Sequence, residues 1–233
     1  MSQKLEDPRG VVCTARYKQF LSVVNTCMII FLLLVMAVEV YWLGGHYIKP
    51  IDGASMQPGI NNYSPPTGDI AIVAKYSEIK RGDIVIVDMT QSKNTANQVN
   101  EKTLIKRVIA MSGDTLKMVY ENGTVVVYVN GERLDEPYTQ GSKYSVSKMN
   151  NFRNQTGWVD WKDNFGNSTL QPIDEFGTII IPNGYFFFMG DNRESSYDCR
   201  GMGPMPISYC VGVVEQILDT DNFLNKMITF LFQ

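Results

Sequence analysis

Residues 20–38 carry no charged side chain and are rich in Leu, Ile, Val and Met. Whatever the chain folds into must bury this segment or give it to a membrane. A helix over these residues rises about 28 Å, close to the thickness of a bilayer's hydrocarbon core. Glu39, Tyr41, Trp42 and the Gly44-Gly45 pair follow and read as an interfacial end. Lys4, Arg9, Arg16 and Lys18 precede the segment, and only Lys49 follows closely. That asymmetry predicts a cytosolic N-terminus (1–19), one membrane pass (20–43) and the remainder outside the cell membrane. A cleavable leader would have a shorter apolar core and a small-x-small site, whereas Glu-Val-Tyr-Trp follows here. A buried core helix is the other alternative.

With 233 residues, the chain has room for one ordinary domain beyond such an anchor. The net charge of −3 offers no basic surface for nucleic acid. Short runs rich in Thr, Val, Ile, Tyr and Phe predict strands at 69–74, 83–88, 103–110, 115–120, 124–129, 178–181, 185–189 and 209–217. Asn122-Gly123 reads as a hairpin turn and Asn130-Gly131 as the next turn. The expected class is therefore mainly β. A core in two parts, 44–137 and 178–218, is interrupted by a polar insertion over 138–177. Apolar residues at helical spacing over 219–233 predict an amphipathic C-terminal helix, covering the domain or lying on the membrane surface.

Three short segments carry chemistry. Ser55 follows Gly53-Ala54 and precedes Met56-Gln57-Pro58. A serine hydroxyl needs a base, and the chain's single histidine, His46, stands beside the apolar segment. Lys106 lies in the apolar run Leu104-Ile105-Lys106-Arg107-Val108-Ile109, where an isolated charge is costly. A lysine kept neutral in a dry pocket can serve as the base; an exposed sheet face is the plainer role. Alternation puts Leu104, Lys106 and Val108 on one face of a strand and Ile105, Arg107 and Ile109 on the other, so Lys106 and Arg107 cannot share a task. In the third segment, residues 189–200, the charges of Asp191, Arg193, Asp198 and Arg200 form either a solvated cluster or a buried carboxylate–guanidinium network. Ser196 is placed to orient the lysine.

These segments resemble bacterial type I signal peptidases, the membrane-bound serine–lysine proteases of family S26. Ser-Met-x-Pro matches at 55–58, Gly-Asp-Ile-Val at 82–85, and Lys-Arg-Val with the later Gly-Asp at 106–114. The longest motif, Gly-Asp-Asn-Arg-x-x-Ser-x-Asp onward, matches at 190–206, with Cys199 where the family usually has serine and Met205 in place of valine. The resemblance implies Ser55 as nucleophile, Lys106 as general base and Ser196 as its orienting partner, with Arg107, Asp191, Asp198 and Arg200 in support. It implies an all-β core with a smaller inserted domain, its apolar edge on the membrane. The substrates implied are exported preproteins, cut after a small residue in an Ala-x-Ala-like site, with membrane lipid and the secretion translocon close by. This chemistry calls for no metal or cofactor. Gly53 replaces a serine that Gram-negative members often offer the oxyanion, and with the single anchor it leans towards a Gram-positive type.

Two other readings remain: a LexA-like self-cleaving regulator, and a non-catalytic membrane-anchored β domain. None of Cys13, Cys27, Cys199 and Cys210 shows zinc-site spacing. Cys199 and Cys210 are either reduced thiols or, in an exported domain, a disulfide.

Overall fold

The computed structural model describes residues 15–60, 69–91, 103–121, 124–139 and 177–219. The chain divides into two units, residues 1–45 and 46–233. The first holds a helix, α1 (Ala15–Gly45), of 31 residues. Its stretch Tyr17–Gly45 is long and apolar enough to cross a membrane. Leu32, Leu33 and Leu34 are all exposed, so the helix is apolar all round. The helix runs through Glu39 and Trp42 to the glycine pair, because nothing before Gly44 breaks it.

The second unit is β-rich. Its strands are β1 (His46–Pro50), β2 (Ile70–Ala74), β3 (Ile84–Asp88), β4 (Thr103–Met111), β5 (Thr115–Glu121), β6 (Thr124–Val129), β7 (Glu132–Arg133), β8 (Ile179–Ile180), β9 (Tyr185–Met189), β10 (Met205–Pro206) and β11 (Cys210–Leu218). A seven-stranded sheet has the order β1-β2-β11-β3-β4-β9-β10, and a four-stranded sheet the order β7-β6-β5-β8. Neighbours pair antiparallel in both. One short helix, α2 (Cys199–Met202), is capped by the Asp198 side chain.

The larger core gathers Val85, Val87, Val108, Leu116, Val127 and Phe186 to Met189. A smaller one gathers Ile51, Met56, Ile60, Val73, Ile86 and Ile105 around the β1–β2 connection. Strict alternation placed Ile109 on the Arg107 face of β4. Instead the register slips between Val108 and Ala110 opposite Phe188 and Phe187. This bulge resets the alternation, and Val108, Ile109 and Ala110 all enter the larger core.

The β4–β5 turn passes through Gly113 at φ 85°, a conformation that suits glycine. Asp114 locks it by accepting hydrogen bonds from Met111 N–H, Asn130 Nδ2 and Arg81 Nη2. Burial raises this carboxyl, but those donors outweigh it and hold it below the ordinary range. Asn130 and Gly131 both take positive φ between β6 and β7, the tight-hairpin geometry expected of that pair.

Strands β1, β7 and β10 were not singled out from sequence. Each is short and lies at or near a sheet edge, where the apolar pattern is weakest. Most of the 138–177 insertion, the Asn122-Gly123 turn and nearly all of the 219–233 helix lie outside the described residues. Cys199 and Cys210 are free thiols. Cys199 is buried and accepts a hydrogen bond from Phe188 N–H at 3.3 Å, and burial raises its pKa well above the ordinary value.

Candidate active site

Ser55 stands in the connection between β1 and β2. Two turn hydrogen bonds shape this stretch, Gln57 N–H to Ala54 O at 3.2 Å and Ile60 N–H to Met56 O at 3.1 Å. Met56 is 1% exposed and plugs the smaller core, so the residue beside Ser55 is a hydrophobic anchor. Gly53 precedes it at φ 86°, a bend that a side chain would strain. The Gln57-Pro58 peptide is cis.

Lys106 lies at mid-strand in β4, opposite Val85 of β3, and is 2% exposed. Its Nζ is 2.8 Å from Ser55 Oγ and donates to Ile105 O at 2.9 Å. Two residues 51 positions apart in the chain thus meet in hydrogen-bond contact. These two contacts are with a hydroxyl and a carbonyl. Removal from water disfavours an ammonium, which is the condition a lysine base requires.

The turn after β9 closes the site from the other side. Asn192 N–H donates to Ser55 O at 3.0 Å. A Cβ on Gly190 would lie 2.3 Å from Ser196 Oγ and 2.4 Å from Ser55 O. Ser55 and Ser196 therefore converge on one face of Gly190, and only glycine admits that approach. Ser196 is 1% exposed. Its hydroxyl, Gly190 N–H and Arg200 all favour the Asp198 carboxylate; burial opposes them, and the balance holds the carboxyl well below the ordinary range. Arg200 makes a forked contact with Asp198, at 2.8 and 2.7 Å.

Arg107 leaves the site to Lys106. It grips Asp191 through Nε at 2.8 Å and Nη2 at 2.7 Å, and donates to Gly82 O at 2.9 Å. Burial pushes the Asp191 carboxyl up against this pull. Arg193 is fully buried and pairs with Glu136, while its Nε donates to Gly190 O at 3.0 Å. Asp191, Arg193, Asp198 and Arg200 are thus buried and ion-paired rather than a solvated cluster.

All eight residues read from sequence lie in this region or its support. Glu136, Tyr138 and Asn192 carry contacts that sequence reading missed. Glu136 lies 57 positions from its partner Arg193, and no local pattern announces such a pair. His46 pairs with Glu215 at 3.0 Å. Among the described residues, no group of three or more His, Cys, Asp or Glu side chains is placed to hold a metal ion.

A cleft of about 270 Å³ opens beside Ser55, lined by Lys49 to Asp52 on one side and by Ile86 and Thr103 to Ile105 on the other.

The chain is similar to known proteins. "Signal peptidase I P" of Bacillus subtilis subsp. natto is 29% identical over 191 residues, 82% of either chain. A signal peptidase I of Bacillus amyloliquefaciens is 31% identical over 187 residues, 77% of this chain and 78% of that one. One from Streptococcus pneumoniae is 27% identical over 198 residues, 80% of this chain and 87% of its own length. A solved signal peptidase I from Enterococcus faecalis aligns with TM-score 0.36 at 26% identity, covering 59% of this chain and 97% of that one. The profile described as signal peptidase, peptidase S26, matches residues 20–218, from the apolar helix to the end of β11. The chain belongs to the signal peptidase family, peptidase S26.

Proposed function

We propose that this chain is a membrane-anchored endopeptidase that removes signal peptides from exported preproteins, with Ser55 as nucleophile and Lys106 as general base. The observation that carries this reading is the 2.8 Å contact between Lys106 Nζ and Ser55 Oγ, with the lysine 2% exposed. The neutral amine takes the Ser55 proton as Oγ attacks the substrate carbonyl. The resulting ammonium gives that proton to the leaving amine, and the amine then draws a proton from the water that hydrolyses the ester. Arginine could not do this, because it does not release its proton near neutrality.

Ser196, whose hydroxyl favours the ionised Asp198 carboxylate, orients the Lys106 amine. With Gly53 in place of a serine, the backbone N–H of Ser55 carries more of the oxyanion stabilisation. The cleft takes an extended peptide, and its shallow apolar lining by Ile86, Leu104 and Ile105 favours small side chains, as in Ala-x-Ala. The helix α1 spans the membrane with the N-terminus cytosolic, which keeps the β unit at the outer face near the translocon, where signal peptides end.

The test is cleavage of a preprotein bearing an Ala-x-Ala site, in detergent or lipid, by wild type, Ser55→Ala and Lys106→Ala. Cleavage after the second Ala by wild type alone is expected. A folded wild type that neither cleaves nor is labelled at Ser55 by an acylating inhibitor would return the chain to a non-catalytic β domain.

A further inference from the structure

We propose that Glu136 and Tyr138 are positioning residues, a clamp that fixes the 190–193 turn and through it the Ser55 backbone. The proposal rests on the reading of Ser55 as nucleophile.

Both residues stand after β7, Tyr138 within the single helical turn Pro137–Thr139. Tyr138 Oη donates to Glu136 Oε1 at 3.2 Å. The Tyr138 ring lies 4.1 Å from the Arg107 guanidinium carbon and 6.0 Å from that of Arg193. Glu136 accepts from both terminal nitrogens of Arg193, Nη1 at 3.2 Å and Nη2 closer. A forked guanidinium–carboxylate pair fixes direction as well as distance. The Glu136 side chain is 11% exposed and that of Arg193 0%, so the pair is shielded from water.

Each residue of the turn has its own restraint. Gly190 O accepts from Arg193 Nε at 3.0 Å. Asp191 is gripped by Arg107, the guanidinium on which Tyr138 stacks. Asn192 N–H holds Ser55 O at 3.0 Å. Arg193 is held by Glu136. The contacts run from Glu136 through Arg193 and the turn to Ser55, whose Oγ must stay 2.8 Å from Lys106.

Without Glu136, a fully buried guanidinium loses its carboxylate, and it is driven to seek water. Its Nε then releases Gly190 O, the turn relaxes and Ser55 shifts from Lys106. Misplacing reacting groups by about 1 Å costs on the order of a hundredfold in rate. Neither Glu136 nor Tyr138 lines the cleft beside Ser55. The loss therefore falls on kcat and spares KM.

The experiment measures kcat and KM on a preprotein for the full chain in detergent, with thermal unfolding of the same preparations. The variants are Ser55→Ala, Glu136→Ala, Glu136→Gln, Tyr138→Phe and Tyr138→Leu. Expected are an inactive Ser55→Ala and a folded Glu136→Ala whose kcat falls about tenfold or more with KM within about twofold. Glu136→Gln, which keeps an acceptor for Arg193, recovers part of that kcat. Tyr138→Leu loses more than Tyr138→Phe, which keeps the ring. An inactive Ser55→Ala beside a folded Glu136→Ala with wild-type kcat overturns the clamp and leaves the nucleophile reading intact. A raised KM at unchanged kcat overturns it too, by making Glu136 a binding residue. Failure of both Glu136→Ala and Tyr138→Leu to fold overturns it in favour of a stabilising role. An active Ser55→Ala removes the nucleophile reading, and the clamp with it.

Discussion

Lys106 and Arg107 are neighbours on β4, both basic side chains, and they meet different surroundings. Arg107 is matched by the forked carboxylate of Asp191 and by Gly82 O. That pairing keeps a charge in place, and it raises the Arg107 pKa against the cost of burial. Lys106 is more deeply buried and meets a hydroxyl and a carbonyl at close range. A carboxylate fixes a proton on its partner, whereas neutral acceptors leave the proton transferable. Period-two alternation thus puts the two side chains on opposite faces of the strand, and on the proposed reading separates support from chemistry.

The largest effect should come from making the two neighbours alike. Lys106→Arg keeps a basic, hydrogen-bonding side chain but fixes its proton, so that it cannot act as a base. Preprotein cleavage should fall by at least about 10³-fold, the upper part of what a general base contributes. Activity near that of wild type would show that the Lys106 face holds charge just as the Arg107 face does, and would end the lysine-base reading.

The support side is tested next. Asp198→Ala leaves Arg200 buried opposite an empty place and should cost about 3–5 kcal/mol in urea unfolding. The Asp198 carboxyl is held well below its ordinary value of 3.8. Its contribution to stability is therefore full above about pH 4 and is lost progressively as the pH falls further. Asp198→Asn should flatten the acid limb of the stability profile below about pH 4. An unchanged acid limb would mean that Asp198 does not carry this charge-dependent support.

This division of labour was only partly legible in the sequence. The meeting of Ser55 and Lys106 was legible through the motifs around them, which resemble those of signal peptidases; a serine in a bend or a lysine in a strand says little alone. That Lys106 and Arg107 meet different partners followed from alternation alone. Their support was less visible. Asp191 lies 84 positions from Arg107 and Glu136 lies 57 from Arg193, and neither distance leaves a periodic trace. The edge strand His46–Pro50 was hidden because five residues ending in proline give little alternation to read. The bulge at Ile109 was hidden because an apolar run looks the same with one residue more or less.

Gly190 links the two sides of the comparison, since it touches both the Ser55 backbone and the Ser196 hydroxyl. Gly190→Ala should lower kcat/KM by about a hundredfold and cost about 1–3 kcal/mol of stability by overpacking. Of the atoms the new Cβ would meet, Ser55 O at 2.4 Å is backbone and cannot swing aside. A folded Gly190→Ala with wild-type kcat/KM would mean that the turn yields without disturbing the nucleophile, so that the support does not set the position of Ser55.

The smallest effect should fall at Ser196, where the charge network meets the base. Its hydroxyl helps to hold Asp198 ionised, and Asp198 is also fixed by Arg200 and Gly190 N–H. Removing one donor of several leaves the carboxylate paired, so Ser196→Ala should cost only about 1 kcal/mol of stability. On the proposed orienting role, turnover should fall further than stability does, by about tenfold. Thermal unfolding and kcat measured on one preparation separate the two effects. If kcat falls only in step with the folded fraction, Ser196 belongs with Asp198 and Arg200 on the support side. If kcat falls at full folding, the hydroxyl is shared between the network and the base, and the boundary between support and chemistry runs through this one residue.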